Sequence, residues 1–406
     1  MSHFTKLSLL SLVAAGCINT TESPSSGSVI EHEDGTYSLA PPAGRGQGST
    51  VRKGALTWSY VGQARHTRDP QPMHTMEYVT AAPTPIDERE QVRSMMWEDE
   101  HGSIWRVGEA DMGQVRALLA ARDADSAETR LGLTKPGAQV APQAVEEPGR
   151  RVRIDTMSWT GSTCGNHYYM GDDDRVQVSG SSSTRRKAIV EVRVSGQTAC
   201  TGVILRDRWV LTAAHCIFDS ATNLLIDRSA MSVRRWDGVD TTPIHSLSGR
   251  VWDAEFTSPG TDPKDDWALL HLSTSFQAPF YDMDISAASD TTLSNLTGVV
   301  NLAFPAFAPY CTSNATGNVV DAMWMNDVGE LGAIYNRKIN LKIDGGSGHS
   351  GSPVFYCPDG NINVCAGTEK GFVISVWSGW NGFETTAVGA KGPEFRAAAI
   401  AAMDAN

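Results

Sequence analysis

The C-terminal part of this chain predicts an all-β fold, and three observations lead there. From about residue 160 onward, short β-rich runs recur: KAIVEVRV, TGVILRDRWVLTAA, DWALLHLS, GVVNLAF, GSPVFYC and GFVISVWS. Clusters of Gly, Asp, Asn and Ser separate them, which is the pattern of a β-sandwich or barrel. This half contains no internal repeat and no long low-complexity tract. It closes on EFRAAAIAAMDAN, an alanine-rich run without a breaker that predicts a C-terminal helix.

The whole chain has 406 residues, enough for two or three compact units at roughly 150 residues each. Hydrophobic residues make up 41% and charged residues 20%, as in an ordinary globular protein. No internal apolar run reaches the roughly 20 residues that a membrane-spanning helix needs, which excludes a polytopic membrane protein. A net charge of −12 argues against a nucleic-acid partner, which would want a basic face.

Along the chain, residues 1–16 (MSHFTKLSLLSLVAAG) read as a secretory signal segment, a lysine followed by a short apolar run. Ala14, Ala15 and Gly16 before Cys17 resemble the lipobox of bacterial lipoproteins, which implies lipid on the Cys17 sulfur and attachment at the cell envelope; the alternative is plain signal cleavage nearby and a secreted protein. Residues 17–50 are rich in Ser, Gly, Pro and Thr and read as a flexible tether. Residues 51–152 have mixed character and read as a propeptide or N-terminal domain. MEYVTA suggests a strand there, and ADMGQVRALLAARDA has helical spacing. The linker TKPGAQVAPQAVEEPGRRVR then carries Arg150, Arg151 and Arg153, which are either solvated or a processing site. The remainder, 153–406, is the β-rich domain.

Seven cysteines are present. With Cys17 set aside, Cys164, Cys200, Cys216, Cys311, Cys357 and Cys365 form an even set, which in an exported protein favours disulfides. Local spacing favours Cys200–Cys216 and Cys357–Cys365, leaving Cys164–Cys311 as a long-range tie. No CxxC pair suggests a structural zinc site, and no cofactor or metal is expected. Asp172, Asp173 and Asp174 lack the alternating spacing of a calcium loop. His167, His245 and His271 read as surface or strand residues. The sequons at Asn295 and Asn314 are chance matches behind a bacterial signal segment.

The chemistry lies in three stretches. In CTGVILRDRWVLTAAHC, an apolar strand delivers His215 to a turn that Cys216 can tether, which would fix the backbone aiming a general base. In DDWALLHLS, Asp266 directly precedes a hydrophobic strand and is favoured over Asp265 as the carboxylate that orients an imidazole. In GGSGHSGSPVF, glycines bracket His349–Ser350 in a tight loop. There the N–H groups of Gly348 and Ser350 could converge on an oxyanion. A serine hydroxyl needs a nearby base to act as a nucleophile, and His215 could supply it.

TAAHC, DWALL and GHSGSP, in the order His215, Asp266, Ser350, resemble the chymotrypsin-like serine peptidases. More narrowly the chain is similar to their bacterial glutamyl-endopeptidase branch, through GHSGSP, MGDDDRVQV, AFPAF and DAMWMND, over roughly residues 160 to 390. The resemblance implies two six-stranded antiparallel β-barrels with the triad in the cleft between them. It further implies a serine endopeptidase acting on proteins or peptides as a monomer, made as a precursor. His349 stands where trypsins have the aspartate that captures a new N-terminus, so any activation must order the loop differently. Asp344 holds the slot of the trypsin pocket aspartate that selects basic residues, but the glutamyl branch can carry an aspartate near it too, so Asp344 decides little. The branch's pocket histidine is missing from GFVISVWSGW, where Trp377 stands close to the expected place, so a basic residue at the cleaved position is favoured over Glu. Ser375 or Ser378 would offer the backbone edge for an extended substrate. An α/β-hydrolase is excluded by the order of the groups and by Ser352 at the second glycine position of its motif. The remaining alternative is a catalytically inactive peptidase-like binding or adhesion domain.

Overall fold

The computed structural model describes residues 28–71, 76–78, 87–124, 126–130, 167–168, 176–177, 186–235, 244–256, 262–277, 281–304, 323–343, 345–346, 348–357, 370–381 and 386–406. Two rings of antiparallel strands form its centre. In the N-terminal segment lie β1 (Thr50–Lys53), β2 (Leu56–Gln63), β3 (Met76–Tyr78), α1 (Glu88–Arg93), β4 (Met95–Glu98), β5 (Ser103–Ala110), α2 (Met112–Ala124) and α3 (Ala127–Arg130). Barrel one comprises β6 (Ile189–Val194), β7 (Gln197–Arg206), β8 (Trp209–Thr212), β9 (Met231–Arg235), β10 (Ile244–Asp253) and β11 (Ala268–Leu272). Its order is β9-β6-β7-β8-β11-β10, and β9 pairs with β10 to close the ring.

Barrel two comprises β12 (Thr297–Ala303), β13 (Trp324–Ile334), β14 (Lys338–Lys342), β15 (Pro353–Tyr356), β16 (Phe372–Asn381) and β17 (Thr386–Lys391). Its order is β16-β15-β12-β13-β14-β17, closed by pairing of β16 with β17. α4 (Gly392–Ala405) ends the chain, as its alanine-rich sequence predicts. The expected all-β, two-barrel architecture with a C-terminal helix is met.

The strands follow from their sequences. IVEVRV and WVLT are dominated by β-branched and aromatic residues, which suit a pleated, buried surface, and both runs are almost wholly buried. Val190, Val203, Leu211, Val251 and Leu269 fill barrel one, while Val299, Leu341, Val354 and Ile374 fill barrel two. α4 starts with Pro393 in its first turn, where a missing N–H costs nothing. It packs against α1 and α2, and Phe395 stacks on Trp267, the residue after Asp266.

The N-terminal segment continues barrel one's sheet. β4 pairs antiparallel with β10, Glu98 opposite Arg250, and the sheet runs on through β5, β2 and β1. Trp58, Trp97 and Trp105 are buried there, with Trp97 stacked on Trp105. Glu98 is fully buried between Arg250 (2.5 Å) and Arg228 (3.0 Å). Burial would push its pKa up, but the two guanidiniums hold the carboxyl below the ordinary range. A carboxylate buried there without them would cost several kcal/mol, roughly 3 to 5.

Candidate active site

His215 is placed by barrel one alone. β8 runs out of the sheet into a single 3-10 turn, Ala214–Ile217, and the Cys200–Cys216 disulfide ties that turn to β7. Asp266 follows a second such turn, Pro263–Asp265, at the mouth of β11. Its two carboxylate oxygens hold the histidine twice: Oδ2 lies 2.7 Å from His215 Nδ1, and Oδ1 accepts the His215 backbone N–H at 2.8 Å. Both side chains are buried. A carboxylate on Nδ1 leaves the Nε2 lone pair free to take a proton.

Asp265 turns the other way. It lies 2.6 Å from buried Arg337, which also reaches Asp253 and Glu255. Burial and the neighbouring Asp253 push its carboxyl up to about 8, against the pull of Arg337.

Ser350 sits on a loop that barrel two supplies and barrel one holds. Gly348 and Gly351 both adopt positive φ, +91° and +80°, which favours glycine. A Cβ on Gly351 would lie 2.0 Å from Thr212 Oγ1 and 2.3 Å from Thr201 O, so only hydrogen fits against the first barrel. Thr201 stitches the contact. Its N–H donates to Ser350 O (2.8 Å), its hydroxyl donates to Gly348 O (2.8 Å), and that hydroxyl accepts from Phe304 N (2.8 Å). Within barrel two, Asn301 Nδ2 donates to Ser352 Oγ and Pro353 O.

Ser350 Oγ and His215 Nε2 are both buried, and neither has a hydrogen-bond partner among the described residues. The N–H groups of Gly348 and Ser350 likewise donate to no described backbone acceptor. Among the described residues, the loop's hydroxyl and two amides and the His215 ring nitrogen are therefore uncommitted.

Behind Ser350, Trp377 is locked to the loop. Its N–H donates to Ser352 O (2.9 Å) and its carbonyl accepts from Gly351 N (2.8 Å). The fully buried ring lies against Gly345, where a Cβ would come within 2.4 Å of it. Ser375 is interior to the sheet, opposite Val354 and Lys391, with its hydroxyl on Ala390 O. Ser378 is buried, and its hydroxyl bonds Val376 O at 3.4 Å. Cys357 is disulfide-bonded. Asp344, Cys17, Cys164, Cys311, Cys365, Arg150, Arg151, Arg153 and Asp172 to Asp174 lie outside the described residues.

Thr201 carries no expectation from sequence, although two of its bonds tie the Ser350 loop to barrel one. Its one signal is a hydroxyl in the middle of TACTGVIL, a strand otherwise buried and largely apolar.

A closed pair of six-stranded barrels with these groups between them defines the chymotrypsin-like fold. Comparison with known proteins agrees: residues 176–377 match the trypsin family model. That segment is a trypsin-family domain, and the chain is a serine endopeptidase. The solved structure of a Glu endopeptidase in complex with MPD is similar at 18% identity, with a TM-score of 0.46. The similarity covers 58% of this chain and 99% of that one.

Proposed function

We propose that this protein is the precursor of an exported serine endopeptidase whose catalytic groups are Ser350, His215 and Asp266. The observation that carries this reading is the doubly hydrogen-bonded His215–Asp266 pair, whose remaining nitrogen is uncommitted, beside a loop whose serine and amides are also uncommitted. Ser350 Oγ attacks the peptide carbonyl carbon while His215 Nε2 takes its proton. The Gly348 and Ser350 N–H groups receive the negative charge on oxygen, and each such donor is worth about 3 kcal/mol in the transition state. His215 then returns the proton to the leaving amine. Water enters by the same route in reverse and releases the acyl group. Asp266 holds the ring throughout and stabilises the imidazolium.

Export is supported by the signal-like first 16 residues and by the Cys200–Cys216 disulfide, which suits an oxidising compartment. Lipid on Cys17 would then hold the protein at the envelope. The Arg150–Arg153 cluster is the proposed site at which the N-terminal part is separated. The buried Trp377 ring fills the space against Gly345 that a long substrate side chain would enter. On this reading a small residue at the cleaved position fits best, rather than the basic residue favoured from sequence.

Ser350→Ala tests the function. The variant should fold as the parent does, lose peptide hydrolysis and lose labelling by a fluorophosphonate. Unlabelled but intact parent protein, after full removal of the N-terminal part, would instead support the binding-domain alternative.

A further inference from the structure

Strand β16 changes neighbours as it passes the nucleophile. From Phe372 to Val376 it pairs with β15, and Trp377 then exchanges two backbone bonds with the Ser350 loop. Beyond that point Gly379, Trp380 and Asn381 keep β17 on one side, opposite Val388, Ala387 and Thr386. On the other side, the side of Ser350, they pair in parallel with Met76, Glu77 and Tyr78 of β3. That edge is where an extended peptide must lie if its carbonyl is to reach Ser350, since backbone pairing on a sheet edge is how such peptides are held. Here the chain's own N-terminal segment lies on it.

The same segment is fastened beside the histidine. Gln71 N–H donates to Asp219 Oδ2 (2.5 Å), Ser220 N–H donates to Gln71 O (2.9 Å), and His66 Nδ1 lies 3.0 Å from Leu225 O. Asp219 to Leu225 is the loop that follows His215–Cys216. Gln71, bonded to the loop after His215, and Met76, paired with β16, are five residues apart in sequence, at most about 17 Å of chain. The complete burial of Ser350 Oγ and His215 Nε2 agrees with a covered site.

We propose that residues 76–78 keep the precursor latent by occupying the substrate edge of β16, and that cutting the chain between residues 130 and 167 does not by itself relieve this. The inference rests on the peptidase reading above. Three paired residues hold weakly alone, but the rest of the segment is anchored elsewhere and keeps them at high effective concentration. β4 is paired to β10 over Glu98 and its two arginines. Glu128 of α3 is buried against barrel two, accepting from Ser286 Oγ (2.6 Å), Ala287 N (2.7 Å) and Tyr356 OH. Arg122 Nε donates to Asp284 (3.0 Å), and Asp123 pairs with Arg396 of α4. None of these contacts involves the connection that would be cut, so activity should await destruction or displacement of the segment.

The test uses the full chain carrying the recognition sequence of an unrelated site-specific protease between residues 135 and 150. After complete cutting, the two pieces should co-elute in gel filtration. Their peptidase activity should stay at least about tenfold below that reached when the N-terminal piece is subsequently digested away. A parallel ladder bonds at alternate residues, so of Glu77→Pro and Tyr78→Pro at least one removes a donated N–H. That variant's cut complex should gain about tenfold in activity or more while still co-eluting. Pieces that separate on cutting, or a cut complex already as active as the digested one, would overturn the proposal. So would two proline variants that stay both assembled and as latent as the parent. If no form hydrolyses peptides or labels Ser350, the digested one included, the peptidase reading fails and this inference fails with it.

Discussion

The two barrels hold their shares of the proposed catalytic groups in different ways. Barrel one presents a finished unit: His215 and Asp266 are joined by two hydrogen bonds, and the Cys200–Cys216 disulfide braces the His215 turn. Barrel two presents Ser350 on a glycine loop whose position depends on the other barrel, through the Thr201 bonds and the close approach of Gly351 to Thr212. The proposed base is aimed locally, while the proposed nucleophile is aimed across an interface. Lesions in barrel one should therefore strike proton transfer, and lesions at the interface should strike distance.

The largest effect is expected from Asp266→Asn. It keeps the shape but offers Nδ1 the wrong partner, and kcat should fall about 10⁴-fold with little change in KM; steady-state kinetics on the digested enzyme would show it. A fall no greater than that of an interface variant would remove the distinction between the barrels. Gly351→Ala should come next. Its Cβ cannot fit against Thr212 and Thr201, so the loop must shift by a fraction of an ångström or more. Kcat should drop roughly 10²-fold, while the pH dependence stays that of the parent because the His215–Asp266 pair is untouched. A changed pH profile would show that the interface also sets the base. The smallest effect belongs to the pocket. In a peptide library, Ala, Gly or Ser at the cleaved position should outpace Arg by about tenfold or more, and Trp377→Val should narrow that gap. Preferred cleavage after Arg in the parent would return the pocket to Asp344.

The elements legible in sequence were those with strong local causes. KAIVEVRV and GFVISVWS became strands through β-branched and aromatic residues with few breakers, and DWALLHLS through a short, mostly buried apolar run. ADMGQVRALLAARDA and EFRAAAIAAMDAN became α2 and α4 through helix-forming composition. The participation of the N-terminal segment in barrel one's sheet was not legible, because pairing Glu98 with Arg250 joins residues far apart in the chain. No local pattern encodes a partner strand. Thr201 was hidden for the same reason, since its hydroxyl looks idle until Gly348 and Phe304 arrive from barrel two.

From the residues alone came the kind of chemistry: a histidine beside a tethering cysteine, an aspartate at a strand mouth and a serine between glycines, each recognisable because local backbone demands and side-chain reactivity are written in short stretches. Folding alone decided the distances among them, the ring of Trp377 against Gly345 and the strand Met76–Tyr78 laid along β16. These are contacts between segments remote in sequence, and only the packing of one surface on another selects them.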